Sequence, residues 1–294
     1  MISIHFSRAL KLAFGLSLSA FFASGQNSPA TCDRTCLRGW ITKYLDAMVA
    51  HDASALALAP NVRFTEDSKD LKVGEGLWKS ATKLTGYRQD FIDVRQQAAA
   101  AHVLVDEGDK TAMLSLRLEV AADGKLAEIE TLVTHSVADG RLFALDGVKQ
   151  VRPNAGVTPT AAQRMPRDQM VRTAMFYPAG LTIGDFAKAD TPFASDAYRL
   201  ENGVTTAGVG CARAGCENMQ AQTIIKHPDL TASVVAVDEE EGWVLLWMNF
   251  GDTNSYGPGN ALIPFEAFKV YSGQIHAVQA FMKVLPKATE RGWK

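Results

Sequence analysis

The feature that most limits what this chain can become is that it repeats itself. Leu58-Ala59-Pro60-Asn61-Val62-Arg63-Phe64-Thr65-Glu66-Asp67 aligns without gaps on Phe193-Ala194-Ser195-Asp196-Ala197-Tyr198-Arg199-Leu200-Glu201-Asn202, an offset of 135 residues. Val103-Leu104-Val105-Asp106 matches Val235-Ala236-Val237-Asp238. Gly124-Lys125-Leu126-Ala127-Glu128-Ile129-Glu130-Thr131-Leu132-Val133 matches Gly273-Gln274-Ile275-His276-Ala277-Val278-Gln279-Ala280-Phe281-Met282. Three matches in the same order favour two copies of one unit within the 294 residues, a length that itself suggests two domains. Residues 152–166, with three prolines and no periodicity, read as the linker between a domain at 32–151 and a divergent one at 167–286.

Each copy reads as α+β. From Cys32 to Asp52, Trp40, Ile41, Tyr44, Leu45 and Met48 recur at helical spacing, and Asp33 is favoured near a helix start. A short second helix is expected over Ala53–Leu58, then a strand over Val62–Glu66 and a glycine turn at Gly74 and Gly76. Three further strands are expected at about His102–Asp106, Thr111–Val120 and Lys125–His135, with Asp123-Gly124 as a hairpin turn. Helices followed by a curved antiparallel sheet make one layered unit.

The N-terminus reads as an export signal over residues 1–25. Arg8 and Lys11 precede the apolar run Leu12–Ala23, and Ala23-Ser24-Gly25 supplies a small-residue cleavage site. The run is shorter than the roughly 20 residues a membrane-spanning helix needs. A secreted or periplasmic protein is therefore expected, with no membrane insertion after signal removal. In that setting the close pairs Cys32/Cys36 and Cys211/Cys216 read as disulfides; one zinc site built from all four is the competing reading. A formal net charge of −2 with scattered Lys and Arg argues against a nucleic-acid partner. No nucleotide, dinucleotide, nucleophile-elbow or zinc-protease motif occurs, so no cofactor and no metal are implied.

Tyr44-Leu45-Asp46-Ala47, His51-Asp52, Leu58 to Glu66, Gly74-Glu75-Gly76-Leu77-Trp78 and Glu128-Ile129-Glu130-Thr131 together resemble the NTF2-like superfamily. More narrowly, they resemble the SnoaL-like domain of secreted fungal and bacterial proteins. The resemblance covers about a third of the chain; the second half joins it only through the repeat. It implies tandem cone-shaped domains, each with an apolar pocket between sheet and long helix. The fold alone does not fix chemistry.

The resemblance places Glu66 where ketosteroid isomerases carry a general base. A carboxylate facing an apolar pocket has its pKa raised by desolvation. It also makes Tyr44 a candidate oxyanion donor, with core packing as the plainer reading. Glu130 could complete an acid–base couple with Glu66 if its strand face lines the cavity; otherwise it faces solvent. Trp40, Trp78, Tyr87 and Phe91 are candidate pocket walls, and His135 and Glu201 further candidate substrate contacts. Two functions follow: a cofactor-independent lyase, isomerase or cyclase acting on a small apolar organic molecule, or a non-catalytic binding protein. Either accommodates an internal pseudo-dimer or a homodimer.

Overall fold

The structure is a computed structural model that describes residues 31–150, 152–222 and 224–293. The expected export signal lies outside the described residues. Among them, no helix is long and apolar enough to cross a membrane.

The chain begins with α1 (Arg34–Val49), whose buried stripe is Leu37, Trp40, Ile41, Tyr44, Leu45 and Met48. Asp33 is its N-cap, accepting from the Cys36 amide at 2.8 Å. The Cys32–Cys36 disulfide staples that first turn, and Cys211–Cys216 forms a second local bridge. The four cysteines are thus paired, which removes the zinc alternative. A single 3-10 turn, Ala53–Ala55, replaces the expected second helix. The strands β1 (Leu58–Glu66), β2 (Lys69–Leu71), β3 (Lys83–Asp93), β4 (Ala98–Glu107), β5 (Lys110–Val120) and β6 (Leu126–Thr134) follow. The short helices α2 (Val137–Gly140) and α3 (Leu145–Lys149) precede the segment 152–166, which has turns but no helix or strand. Then come α4 (Arg167–Ile183), β7 (Phe193–Glu201), β8 (Val204–Gly208), β9 (Thr231–Asp238), β10 (Trp243–Asn249), β11 (Asn260–Tyr271) and β12 (Gln274–Pro286).

The strands form two mixed sheets of identical plan, ordered β2-β1-β6-β5-β4-β3 and β8-β7-β12-β11-β10-β9. In each, one strand pair is parallel, and the irregularity in it falls at the same place. Leu58 pairs with Leu126 and Arg63 with Glu128; Phe193 pairs with Ile275 and Tyr198 with Ala277. The first and third sequence matches therefore occupy equivalent places. The second does not. Val103–Asp106 lies in β4, whereas Val235–Asp238 ends β9, the edge strand equivalent to β3. The true counterpart of Asp238 is Asp93. Both segments are short apolar runs followed by Asp and are indistinguishable by composition, so the match slipped by one strand.

Each sheet buries its inner face against its own long helix. Phe64, Leu114, Leu116 and Ile129 join α1 in one core; Val244, Phe268 and Val278 join α4 in another. The outer faces bury each other. Phe91, Leu132, Tyr198, Leu200, Trp243, Phe265 and Ala277 form a third core between the sheets. Within this inter-sheet layer His102 stacks on Phe281 at 4.4 Å and meets the edge of Phe91 at 5.2 Å. Its full burial drives its pKa down to about 3, so it sits there neutral.

The two halves are locked by a reciprocal exchange. Arg34, at the start of α1, makes a two-pronged bond to Asp238 at 2.6 and 2.8 Å, and the Ile92 amide donates to the same carboxylate at 3.0 Å. Arg167, at the start of α4, makes the mirror-image bond to Asp93 at 2.7 and 2.6 Å, and the Val237 amide donates to it at 2.8 Å. Asp93 and Asp238 are 1% and 0% exposed. Removing one partner of a buried pair strands the other charge, which costs about 3–5 kcal/mol. Asp238→Ala is therefore expected to lower the urea unfolding free energy by about that amount, and adding Arg34→Met to it should recover part of the loss. A loss under about 1 kcal/mol, the range of surface pairs, would show that the halves do not depend on the lock.

Candidate active site

In the first half, Glu66 ends β1 on the same inner face as Phe64, and the structure brings it close to Tyr44 and Trp78. Its carboxylate accepts from the Leu77 amide at 3.0 Å. Gly76 adopts φ +63, and a Cβ there would collide with that carboxylate, so the turn closes directly over Glu66. Burial raises the Glu66 pKa, and the Leu77 hydrogen bond opposes it. Tyr44 is fully buried, accepts from the Trp78 indole at 2.9 Å, and has its pKa pushed up by burial. Trp40 lies in the same core with Lys43 5.0 Å over its ring. The remainder of this interior is apolar.

Four expected contacts lie elsewhere. Glu130 alternates onto the outer face of β6, opposite Ile129 and Val133, and is 3% exposed beneath Arg291, which grips it at 2.8–3.2 Å. The expected couple with Glu66 does not form, and Glu130 does not face solvent either. Phe91 also points outward, 5.6 Å from Trp243 of the other sheet, and Tyr87 packs on Phe281 at 6.4 Å. Both belong to the inter-sheet layer, because the segment carrying them is strand β3, whose outward side chains meet the other sheet. His135 follows β6 at the surface, 3.1 Å from Glu107 and 3.3 Å from Asp139.

The second half places different chemistry at the equivalent positions. Tyr177 on α4 takes the place of Tyr44, Arg199 on β7 that of Phe64, Glu201 that of Glu66, and Glu266 on β11 that of Leu116. Arg199 donates from Nε to Thr206 at 2.8 Å and from Nη1 to the Tyr177 hydroxyl at 3.3 Å, and lies 3.5 Å from Glu201. Burial alone would lower the Arg199 pKa, but Glu201, Tyr177 and Glu266 outweigh it and keep the guanidinium charged. Glu266 is 1% exposed, and neither of its oxygens has a well-formed hydrogen bond; the Tyr177 hydroxyl stands within reach to supply one. Burial, and then the charge of Glu201, push Glu266 up to about 8 against the pull of Arg199. At neutral pH it is mostly a protonated acid. Burial also pushes the Tyr177 hydroxyl pKa up, leaving it a donor throughout the working range.

The rim above this cluster is built from loops. The β8–β9 connection, residues 209–230, is about twice as long as its counterpart at 72–82; the second disulfide staples it, and Met219 anchors it in the core. From it, His227 reaches 3.5 Å from the hydroxyl of Tyr256, which belongs to the β10–β11 connection. Burial lowers His227 to about 4. Arg141, from the end of α2 in the first half, stacks 5.6 Å over the Tyr256 ring and bonds the Ser255 carbonyl. Among the described residues no group of His, Cys, Asp or Glu could hold a metal ion.

Arg199, Glu266 and Tyr177 were not singled out from the sequence. The repeat carried the signal: its ungapped alignment sets Arg199 against Phe64 on an inward-facing parity. Glu266 is likewise the lone acid in the apolar run Ala261–Phe268.

Residues 163–282 match a family model described as a domain of unknown function, DUF8021, a span that runs from just before α4 into β12. No curated protein matches the chain. A crystal structure of AclR, described as a hydroxylase from Streptomyces galilaeus, aligns with 35% of this chain and 91% of its own at 13% identity and a TM-score of 0.28. One described as a ketosteroid isomerase from Kribbella flavida aligns with 34% and 78% at 17% identity and a TM-score of 0.27. Likenesses at these scores carry no argument about this chain.

The buried carboxyl has a thermodynamic signature. A Glu266 pKa raised from 4.5 to about 8 means that the folded state holds a proton the unfolded state has released between those values. Folding stability is then lost as pH rises through that window, by up to about 1.4 kcal/mol per pH unit. Glu266→Gln should remove this slope, so the variant gains on the wild type in urea unfolding between pH 5 and pH 8. Parallel pH profiles for the two proteins would show that Glu266 is already ionised when folded.

Proposed function

We propose that this chain is an exported, cofactor-independent acid–base catalyst of NTF2-like architecture, a lyase, isomerase or cyclase for a small, largely apolar organic molecule. Domains 32–151 and 167–286 form an internal pseudo-dimer in this reading, and the second carries the reaction. The observation that carries it is the fully buried Glu266 carboxyl beside Arg199 and Tyr177, in an interior whose counterpart holds Leu116 and Phe64 at the places of Glu266 and Arg199. A buried carboxyl that makes no well-formed hydrogen bond costs stability, and such groups cluster at functional sites.

The division of roles follows from surroundings. Glu201, half-buried at the rim and paired with Arg199, takes a proton from carbon next to a substrate carbonyl. Glu266, protonated, and the Tyr177 hydroxyl donate hydrogen bonds to the oxygen on which negative charge develops, while the Arg199 charge lowers the energy of that oxyanion. Returning the proton at another carbon, or losing a leaving group, completes isomerisation or elimination. Two disulfides agree with an oxidising, extracytoplasmic setting.

The test is to incubate mature protein, beginning near Gln26, with extracellular metabolites of its host and follow them by mass spectrometry. Wild type should consume a metabolite that Glu201→Gln spares, and Glu266→Gln should slow the loss by about 10²–10³-fold. Glu66→Gln should leave turnover unchanged. Activity should fall as pH rises through about 8, where Glu266 loses its proton. Loss of turnover in Glu66→Gln alone would move the site to the first domain. A co-purifying small molecule with no turnover in any protein would leave a binding protein.

A further inference from the structure

Between the two domains lies a cleft of about 210 Å³, lined by Tyr87 and Gln89 of β3, by Lys149, Arg152 and Ala155 after β6, and by Leu200 and Gln279 of the second sheet. No carboxylate lines it. Arg152 stands 5.4 Å over the Tyr198 ring and donates to Thr205 at 2.8 Å, and its buried Nε has no partner. Among the described residues neither Arg152 nor Lys149 has an acidic partner, while most guanidinium groups of this protein do.

The pseudo-symmetry of the fold says what such a niche accepts. Leu200 and Gln279 hold the places of Thr65 and Glu130, and β3 near Gln89 faces them as β9 near Val234 faces the other pair. On that other side the niche is filled by the chain's own C-terminal segment. The Trp293 indole donates to Thr65 at 3.1 Å, its ring lying 4.4 Å from the Arg63 guanidinium and 6.0 Å from that of Arg117. Beside it Arg291 grips Glu130 and donates to the Val234 carbonyl at 3.0 Å. An aromatic ring next to a cation thus satisfies one copy. The open copy keeps the cations and loses the acid: Gln279 replaces Glu130, and Arg152 and Lys149 supply positive charge as Arg63 and Arg117 do beside Trp293.

We infer that the inter-domain cleft binds a small aromatic carboxylate, its ring taking the position that Trp293 holds in the other copy and its carboxylate meeting Arg152. A guanidinium with free donors recognises a carboxylate in preference to a neutral or cationic group. The volume limits the ligand to one small ring system with a short acid chain. The site shares no residue with the Arg199–Glu266 cluster, because Leu200 and Arg199 alternate to opposite faces of β7.

Isothermal titration of the mature chain with indole-3-acetate, indole and tryptamine tests this. Indole-3-acetate should bind, indole more weakly, and tryptamine not detectably. Arg152→Gln should weaken indole-3-acetate at least about tenfold, the loss of one charge-assisted pair, and Glu266→Gln should leave it unchanged. Ala155→Phe, which puts a bulky ring into the cleft and leaves Arg152 in the sequence, should abolish binding and serves if Arg152→Gln does not fold. Absence of indole-3-acetate binding at millimolar concentration overturns the inference. So does equal binding of tryptamine, or binding lost in Glu266→Gln and kept in Ala155→Phe.

Discussion

The structure depends on two buried aspartates that cannot satisfy themselves. Asp93 and Asp238 each end an edge strand, and each is buried without an ion-pair partner at bonding distance in its own half. Each is paired with an arginine that opens the helix of the opposite half, and each also takes one amide from the opposite edge strand. The exchange fixes the edge strands β3 and β9 against one another, in the manner of a self-complementary dimer interface. It also covers strand edges that would otherwise invite pairing with other chains. Once they are fixed, the outer faces must bury each other, and the aromatic layer through Phe91, His102, Phe281 and Trp243 follows.

That geometry assigns the faces of every strand. Inner faces meet a helix and can hold a site; outer faces meet the other domain. The chain then uses its outward positions for adhesion. Glu130 is held by Arg291, Thr65 receives Trp293, and Lys283 pairs with Asp67 across the halves at 2.6 Å. From the other direction, the segment after β6 crosses to the second half. The Asn202 side chain donates to the Leu142 carbonyl at 3.0 Å, and the Ala144 amide donates to the Asn202 carbonyl at 2.8 Å. Each half therefore lends its tail to the other, and Arg141 reaches the rim of the second interior by this route.

The sequence made the plan of the fold legible because the repeat preserved register. The β1 and β7 segments and the β6 and β12 segments were aligned residue for residue, and their pairing in the structure obeys the same offsets. The helix stripe around Tyr44 was legible for the usual reason of 3.6-residue spacing. Strand β3 was not legible. Its pairing shifts between Leu84 and Arg88, with Gly86 at φ +87, so alternation breaks just where a reader would look for it. Without β3, Tyr87 and Phe91 could be placed only as pocket aromatics. Glu130 could be assigned a strand face but not a partner, because nothing local reveals a guanidinium that arrives 161 residues later. The same blindness applied to the second interior, where Tyr177, Arg199 and Glu266 converge from three separate elements.

The likeness of the two plans makes the contrast between the two interiors informative. In a dimer of identical chains every substitution is made twice, so an acid placed in one core burdens both. A chain carrying both copies is free of that symmetry. Here one core keeps Phe64 and Leu116 where the other has charged groups, and can act as ballast for the pair. The other could accept Arg199 and Glu266, a combination that a lone domain of this size would struggle to carry. Covalent fusion, in this view, is what lets half of the molecule be sacrificed to stability so that the other half can be ill at ease.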